Sequence, residues 1–207
     1  GQQQGEDFFV TCRVGGQVGS DDYSTHTRAT FSFADAKDGG YMNATYPSTA
    51  LTFSKAVENC TVPIISHENG QFQVYPDYNE IKKYTGVLYP YNMEIFRKRL
   101  QENGLEDQAD AFHKATARFA ALCYKADIEM CLRTPGFGGF QLLDLQDYPG
   151  QGSAYVGILD AFMDNKGGMA AEEFDGFCDE IVPLSIMSKY CWSNSEIFTA
   201  EIELSNY

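Results

Sequence analysis

A short apolar run that passes directly into a polar cluster around one carboxylate is the feature that most constrains this chain. Residues 62–66 are rich in β-branched side chains. Ser66, the last of them, begins a Ser-His-Glu-Asn-Gly sequence centred on Glu68. Such a run is typical of a buried parallel strand, which would carry Glu68 to the carboxyl end of its sheet. That end of the sheet is where α/β barrels hold their catalytic residues. A carboxylate buried there is costly unless it is paired or used, so the position favours a functional role, with a helix cap or a structural ion pair as the alternative.

Composition narrows the classes of partner. The chain has 207 residues, of which 43% are hydrophobic and 14% aromatic, so it is long enough and apolar enough for one ordered domain with a sizeable core. Its formal net charge of −14 argues against binding to nucleic acid or to an anionic membrane surface, because both need a basic face. We also expect no membrane insertion, since the sequence contains no long apolar run. The first residues lack the basic start and apolar stretch of a signal peptide.

The cysteines and histidines predict neither a metal site nor a cofactor. None of the six cysteines forms a C-x-x-C pair, and the three histidines lie far apart in the sequence. The pattern therefore lacks the spacing of a zinc finger and the cysteine density of a disulfide scaffold. Most of the thiols are expected to be buried. The residues concerned are Cys12, Cys60, Cys123, Cys131, Cys178, Cys191, His26, His67 and His113.

Strand and helix patterns alternate along most of the chain. Apolar runs predict strands at 8–14, 62–66 and 138–145. Between and after the first two, helical patterns predict helices at 48–59, 92–103 and 105–132, the second of them ending at Gly104. We expect the stripe of the third helix to bury seven side chains: Phe112, Ala115, Phe119, Leu122, Cys123, Ala126 and Met130. Strand–helix units in this order predict an α/β fold with a parallel sheet, and three units are too few to close a barrel of about eight.

The end of the chain has a different pattern. A short acidic helix is predicted near 171–178, followed by strands at 182–187, 189–193 and 197–205. The last of these alternates, with Glu201 and Glu203 on one side, as an antiparallel strand with one solvated face does. We therefore place a domain boundary near residue 180, with residues 1–180 in the α/β domain and 181–207 in the next.

Two motifs resemble a known enzyme family. Residues 66–71, Ser-His-Glu-Asn-Gly-Gln, are similar to the seventh-strand motif of family 2 glycoside hydrolases, the β-galactosidase and β-glucuronidase group, in which a Glu followed by x-Gly is the nucleophile. Residues 138–140, Gly-Gly-Phe, followed by Asp144 and Asp147, are similar to the eighth strand of the same barrel. The chain resembles most closely the large multidomain members from gut Bacteroidetes. The strand at 8–14 would then be the sixth, and residues 181–207 would begin the β-sandwich that follows the barrel.

The resemblance implies a fold, a reaction and a set of site residues. The fold would be the last three strand–helix units of a (β/α)8 TIM barrel, and the reaction would be the retaining hydrolysis of β-linked galactosides or related glycosides, without metal or cofactor. Glu68 would be the nucleophile. Side chains expected to contact Glu68 or the sugar are His67, Asn69, Gln71, Arg13, Asp144, Gln146 and Asp147. The partner would be an oligosaccharide or glycoside, and the location periplasmic or secreted.

The chain departs from the family pattern in two places. The family's acid/base is a Glu after an Asn on the fourth strand, whereas the Asn79–Glu80 pair lies in a context that predicts the start of a surface helix, so we do not assign it that role. Leu142 and Leu143 stand where β-galactosidases have Trp, which weakens the implied specificity for galactose. We expect the chain to be inactive alone and to need the rest of the barrel or self-association. The alternative is a non-catalytic carbohydrate-binding or scaffold fragment.

Overall fold

The protein has a mixed α/β structure, given by a computed structural model that describes residues 9–10, 46, 48–54, 61–150 and 152–206. The side chains of residues 9, 10 and 67 lie outside the described part. In chain order the strands are β1 (Phe9–Val10), β2 (Ile64–His67), β3 (Phe137–Gln141), β4 (Ile181–Ile186) and β5 (Glu201–Asn206). The α-helices are α1 (Tyr91–Glu102), α2 (Ala109–Leu132) and α3 (Ala171–Asp175), and 3₁₀ helices span Tyr78–Lys83 and Glu106–Gln108.

The chain divides into two compact units. The first, which we call the sheet unit, comprises Gly1–Gln71, Cys123–Leu143 and Ala171–Tyr207. The second, which we call the cavity unit, comprises Phe72–Leu122 and Asp144–Ala170. The predicted boundary near residue 180 concerns a domain that would follow the barrel, and it stays a prediction.

A three-stranded parallel sheet organises the sheet unit. Its order is β1-β2-β3, so β2 is the central strand, and both pairings are parallel. The pairing of Phe9 with Ile64 confirms that a strand lies within the predicted run at 8–14, whose residues 11–14 are outside the described part. The α/β class expected from the alternating pattern is confirmed.

The third strand is shorter than its sequence predicts. β3 ends at Gln141, and the backbone carbonyl of Leu143 accepts a hydrogen bond from the side chain of Gln71 instead of a partner strand. The register between β2 and β3 shifts after Ile64, where Gly138 lies so close to Pro63 that a Cβ at position 138 would be 2.8 Å from the proline Cβ. The prediction of a strand that continues to Leu145 is therefore wrong.

The core of the sheet unit lies between the parallel sheet and the later turns of α2. Ile64 of β2 is fully buried against Phe53, Phe137, Met130 and Cys131. The rings of Phe53 and Phe137 are 5.5 Å apart between centroids, within the range of favourable aromatic pairs. This packing fixes β2, and with it the residues that follow β2.

The two long helices form close to where their patterns place them, with one difference in the buried face. Gly104 follows the Asn103 C-cap of α1 with a φ of +67°, as predicted. In α2, Ala115 and Leu122 are exposed although the predicted stripe includes them. The side chains that are buried on α2 include Ala117, Ala120, Ala121, Tyr124, Asp127, Ile128 and Cys131. The apolar pattern fails here because the buried face carries Asp127, a polar residue that accepts a hydrogen bond from the backbone N–H of Gly70.

The helix predicted at 48–59 begins later than Ser48, because the first helical residue in the described part of this segment is Ser54. The backbone N–H of Thr49 donates to the carbonyl of Met187 at 3.0 Å, and the Ser48 hydroxyl donates to the same carbonyl at 2.8 Å. Residues 48–53 are non-helical, so the prediction that the helix begins at Ser48 is wrong. Residues 55–60 of that prediction lie outside the described part.

The C-terminal strands form a two-stranded antiparallel sheet. β4 pairs with β5, which confirms the antiparallel pattern, and Val182 and Leu184 of β4 are buried. The predicted strand at 189–193 is wrong, because Lys189 pairs with Glu196 and the Trp192 indole N–H donates to the Lys189 carbonyl in a non-strand segment. The expected buried face of β5 is also not seen: Ile202 is 64% exposed.

Candidate functional site

The first candidate site is the turn that follows β2. Glu68 comes directly after the last residue of the central strand, its backbone has a φ of +56°, and the residue is 9% exposed. A left-handed backbone costs a non-glycine residue roughly 1–2 kcal/mol, and such strain is concentrated at functional sites. The carboxylate predicted from sequence is therefore buried at the carboxyl end of the sheet, in a backbone conformation that the surroundings must enforce.

Gly70 holds the turn after β2 directly against α2. Its φ is +59°, and a Cβ at this position would lie 2.5 Å from the Cα of Tyr124. Only glycine permits so close an approach of the two backbones. The Gly70 N–H also donates to Oδ2 of Asp127 at 2.6 Å. The turn carrying Glu68 is therefore clamped to α2 at a position two residues beyond the glutamate.

Asp127 is the polar partner that the helix pattern did not reveal. It is fully buried, and burial raises the pKa of its carboxyl to about 7, against the opposing effect of the hydrogen bond from Gly70. One turn further along α2, Sγ of Cys131 accepts a hydrogen bond from Nδ2 of Asn69 at 3.2 Å. Burial, with the nearby Asp127, also raises the pKa of the Cys131 thiol, so this sulfur is a neutral packing group.

The predicted neighbours of Glu68 have distinct positions. Asn69 is buried on Cys131, and Gln71 is buried with its amide on the Leu143 carbonyl. Both side chains thus hold the turn together. Arg13 and the side chain of His67 lie outside the described part, so their contacts with Glu68 stay predictions.

The clamp makes a prediction for pH dependence. The pKa of Asp127 is raised from 3.8 to about 7 in the folded state, so between those values the folded state binds a proton that the unfolded state does not. Stability contributed by this group is present below pH 3.8 and is lost as pH rises to about 7. In Asp127→Asn the amide oxygen still accepts from Gly70 and the group no longer titrates. We expect the variant to gain a few kcal/mol relative to the wild type between pH 4 and pH 8, measured by urea unfolding at each pH. A difference that stays constant with pH would contradict the buried titration.

The second candidate site is a cavity of about 380 Å³ within the cavity unit. Its walls come from the segment around 74–83, the start of α2 and the loop at 147–167, and they hold five acidic residues, three lysines and two tyrosines. This is the size of a small-ligand pocket. The polar residues that line the cavity include Glu80, Lys83, Asp147, Tyr155, Asp160 and Lys166.

Asp147, a residue singled out from sequence, lies in the wall of this cavity. Its Oδ1 is 2.6 Å from Nζ of Lys166 and accepts from the N–H of Gly157 at 2.9 Å. Burial raises the pKa of Asp147 and lowers that of Lys166, against their mutual attraction. Of the other two residues predicted beside it, Asp144 is half-buried and Gln146 is exposed. The roles of Asp144, Gln146 and Asp147 in sugar binding stay predictions.

Glu80 is the site residue that sequence reasoning placed wrongly. The predicted helix start is confirmed, because Asp77 caps a 3₁₀ helix at Tyr78–Lys83, but Glu80 is 4% exposed rather than on the surface. Its carboxylate accepts a hydrogen bond from the hydroxyl of Tyr84 at 3.2 Å. Burial, together with the charges of Asp160 and Asp147, raises the pKa of Glu80 to about 7. Tyr84, four residues further along the chain, was the available signal, since its hydroxyl is the hydrogen-bond donor.

The Asp147–Lys166 pair should dominate the stability of this unit. Both side chains are nearly fully buried, so Lys166→Met leaves a buried carboxylate without its counter-ion and should cost about 3–5 kcal/mol. Lys98→Met, at an exposed pair with Glu102, should cost less than about 1 kcal/mol. Urea unfolding of both variants measures the difference. The double variant Asp147→Asn/Lys166→Met should recover most of the loss; equal costs for the two single variants would contradict a buried ion pair.

No family model matches the sequence, and no curated protein matches it. Among the described residues, no group of three or more His, Cys, Asp or Glu side chains is arranged to hold a metal ion. Within the same part of the chain, every helix is too short or too polar to cross a membrane.

Proposed function

We propose that this chain carries the nucleophile half of a retaining β-glycosidase of the family 2 type, acting on β-linked galactosides or related glycosides, with Glu68 as the nucleophile. The observation that carries the proposal is the position of Glu68, which directly follows the central strand of a parallel sheet and is held in a left-handed turn. Catalytic residues of α/β barrels occupy this position on their strands.

The strand order supports the finer assignment of the fold. In a barrel of parallel strands, neighbours in sequence are neighbours in space, and β1, β2 and β3 are adjacent in that order. We propose that they are the sixth, seventh and eighth strands of such a barrel. The remaining strands and the acid/base would come from another part of the barrel, in keeping with the single carboxylate that the turn after β2 offers.

The chemistry assigned to Glu68 is a double displacement. A carboxylate oxygen of Glu68 forms a bond to the anomeric carbon while the bond to the leaving-group oxygen breaks, and that oxygen takes a proton from the acid/base. Water, deprotonated by the same acid/base, then attacks the anomeric carbon and releases Glu68 as a carboxylate. The two carboxyl groups of a retaining enzyme lie roughly 5–5.5 Å apart.

The turn supplies rigidity to this nucleophile. Three hydrogen bonds fix the backbone of this turn. Asn69 donates to Cys131, Gly70 donates to Asp127, and Gln71 donates to Leu143. A nucleophile held by its supporting contacts loses little freedom on reaching the reactive geometry. In this proposal the donors that keep Glu68 ionised come from His67 and Arg13, as the resemblance implies.

An activated substrate tests the proposal without depending on the acid/base. A 2,4-dinitrophenyl glycoside needs no proton for its leaving group. The chain supplied with the barrel half that the proposal requires should therefore release one dinitrophenolate per protein in a rapid burst, whereas the chain alone should release none. The panel should include β-galactoside, β-glucoside and β-glucuronide, with the matching α-glycosides as controls. Saccharide binding without phenolate release in either preparation would overturn the enzyme assignment and favour a carbohydrate-binding fragment.

A further inference from the structure

The cavity of the cavity unit carries an excess of negative charge. Its lining has three lysines against five acids: Lys83, Lys114, Lys166, Asp77, Glu80, Asp147, Asp160 and Asp164. Two of the lysines are already engaged, Lys83 with Asp160 and Asp164, and Lys166 with Asp147. These two lysines are therefore matched by three of the five acids, and Asp77 and Glu80 form no ion pair with either of them.

Asp147 provides an observation independent of the charge count. Its side chain is 4% exposed, and only Oδ1 is used, by Lys166 and Gly157. Asp147 lines the cavity, and its Oδ2 is buried and accepts no hydrogen bond from any described residue. A buried carboxylate oxygen without a donor is costly, so a native structure normally supplies the donor from water or from a bound group.

The pKa of Glu80 indicates that the electrostatic potential in this cavity is negative. Glu80 lines the cavity, and its pKa is raised to about 7, first by burial and then by the charges of Asp160 and Asp147. Those charges outweigh the opposing effect of Lys166 and of the Tyr84 hydroxyl. A cation placed between Glu80 and Asp147 would be stabilised by the same field that disfavours the Glu80 carboxylate.

We propose that this cavity is a binding site for a small ligand that carries a protonated amine, received by Oδ2 of Asp147 and by the carboxylate of Glu80. An ammonium supplies N–H donors, which is what the buried oxygen lacks. An amine fits better than a metal ion, because the described residues contain no cluster arranged for metal coordination. The rings of Tyr75 and Tyr155 line the same cavity and give the ligand's carbon skeleton an apolar contact. This proposal does not depend on the assignment of Glu68.

The site should show a characteristic pH dependence. Binding of the ammonium favours the ionised form of Glu80, so it releases a proton wherever Glu80 is protonated in the free protein. The groups that set this titration are Asp160, Asp147, Lys166 and Tyr84. Affinity should therefore rise as pH increases through about 7 and level off above it.

Calorimetric titration with two matched probes tests the site. trans-4-Aminocyclohexanol is protonated throughout this pH range, and trans-cyclohexane-1,4-diol has the same shape with a neutral hydroxyl in place of the amine. On the intact chain at pH 8 we expect the amine to bind at least about 10-fold more tightly than the diol, and more tightly than it does at pH 6. Equal affinities for the two probes, or no binding of the amine at millimolar concentration, would overturn the proposal.

Variants locate the binding to the cavity. Glu80→Gln should weaken the amine at least about 10-fold and abolish the pH dependence, whereas Glu102→Gln, the same change on the exposed surface of α1, should leave the affinity unchanged. Asp147→Asn should weaken the amine as well, and its fold can be checked by circular dichroism because the change removes the partner of Lys166. Amine binding that is unaffected by Glu80→Gln would contradict the site even if Asp147→Asn fails to fold.

Discussion

Glu68→Gln is expected to lower the turnover of an aryl β-glycoside by at least about 10⁴-fold in the barrel-complete protein, the scale seen when a catalytic nucleophile is removed. Glutamine has nearly the shape of glutamate, so it should keep the turn after β2 intact while its neutral amide cannot form the glycosyl ester. Initial rates with 2,4-dinitrophenyl glycosides measure the loss, since no acid catalysis is needed for that leaving group.

Two comparisons separate a lost nucleophile from a damaged fold. Glu102→Gln, on the exposed face of α1, should retain full activity. Glu68→Ala should regain turnover when azide is added, because azide can enter the space of the missing carboxylate, form the bond to the anomeric carbon and displace dinitrophenolate with inversion. Activity of Glu68→Gln within about tenfold of the wild type would remove Glu68 from the mechanism.

Gly70→Ala is expected to be the most destabilising single change in the turn. The φ of +59° strains any other residue, and the added Cβ would lie 2.5 Å from the Tyr124 Cα and 2.8 Å from its N, both backbone atoms that cannot move aside alone. Strain of about 1 kcal/mol and overpacking of about 1–3 kcal/mol together give a loss of roughly 2–4 kcal/mol. Urea unfolding monitored by circular dichroism measures the cost.

Gly104→Ala is the matched control for the clash. Gly104 has a φ of +67°, but a Cβ there would meet nothing within 4 Å, so this variant should lose only about 1 kcal/mol from backbone strain. The difference between the two variants isolates the close approach of the turn to α2. Equal losses would contradict that contact.

Local patterns were sufficient for the elements that carry Glu68. The β-branched run ending at residue 66 predicts β2 to within about two residues at each end, because a buried central strand needs apolar side chains on both faces. The stop at Gly104 was also predictable, since a positive φ after a helix favours glycine. Both predictions rest on neighbours in sequence.

Contacts between distant residues account for what the sequence did not predict. From sequence alone, Asp127 interrupts the apolar stripe of α2, because its partner, the N–H of Gly70, lies in a distant part of the chain. Glu80 reads as a surface residue until Tyr84 and the acids of the 147–160 loop are placed around it. Lys166 forms an ion pair with Asp147, which lies nineteen positions earlier in the sequence, and no local pattern indicates that pairing.

Trapping the glycosyl-enzyme tests the central claim most directly. A 2,4-dinitrophenyl 2-deoxy-2-fluoro-β-glycoside of the preferred sugar should expel dinitrophenolate and leave the fluorosugar bonded to the nucleophile, because the fluorine slows the hydrolysis that follows. Proteolysis and mass spectrometry should find one sugar per protein, on the peptide that contains Glu68 and on that side chain. A label on Glu80 or Asp144, or turnover of the unfluorinated glycoside with no label on Glu68, would contradict the assignment.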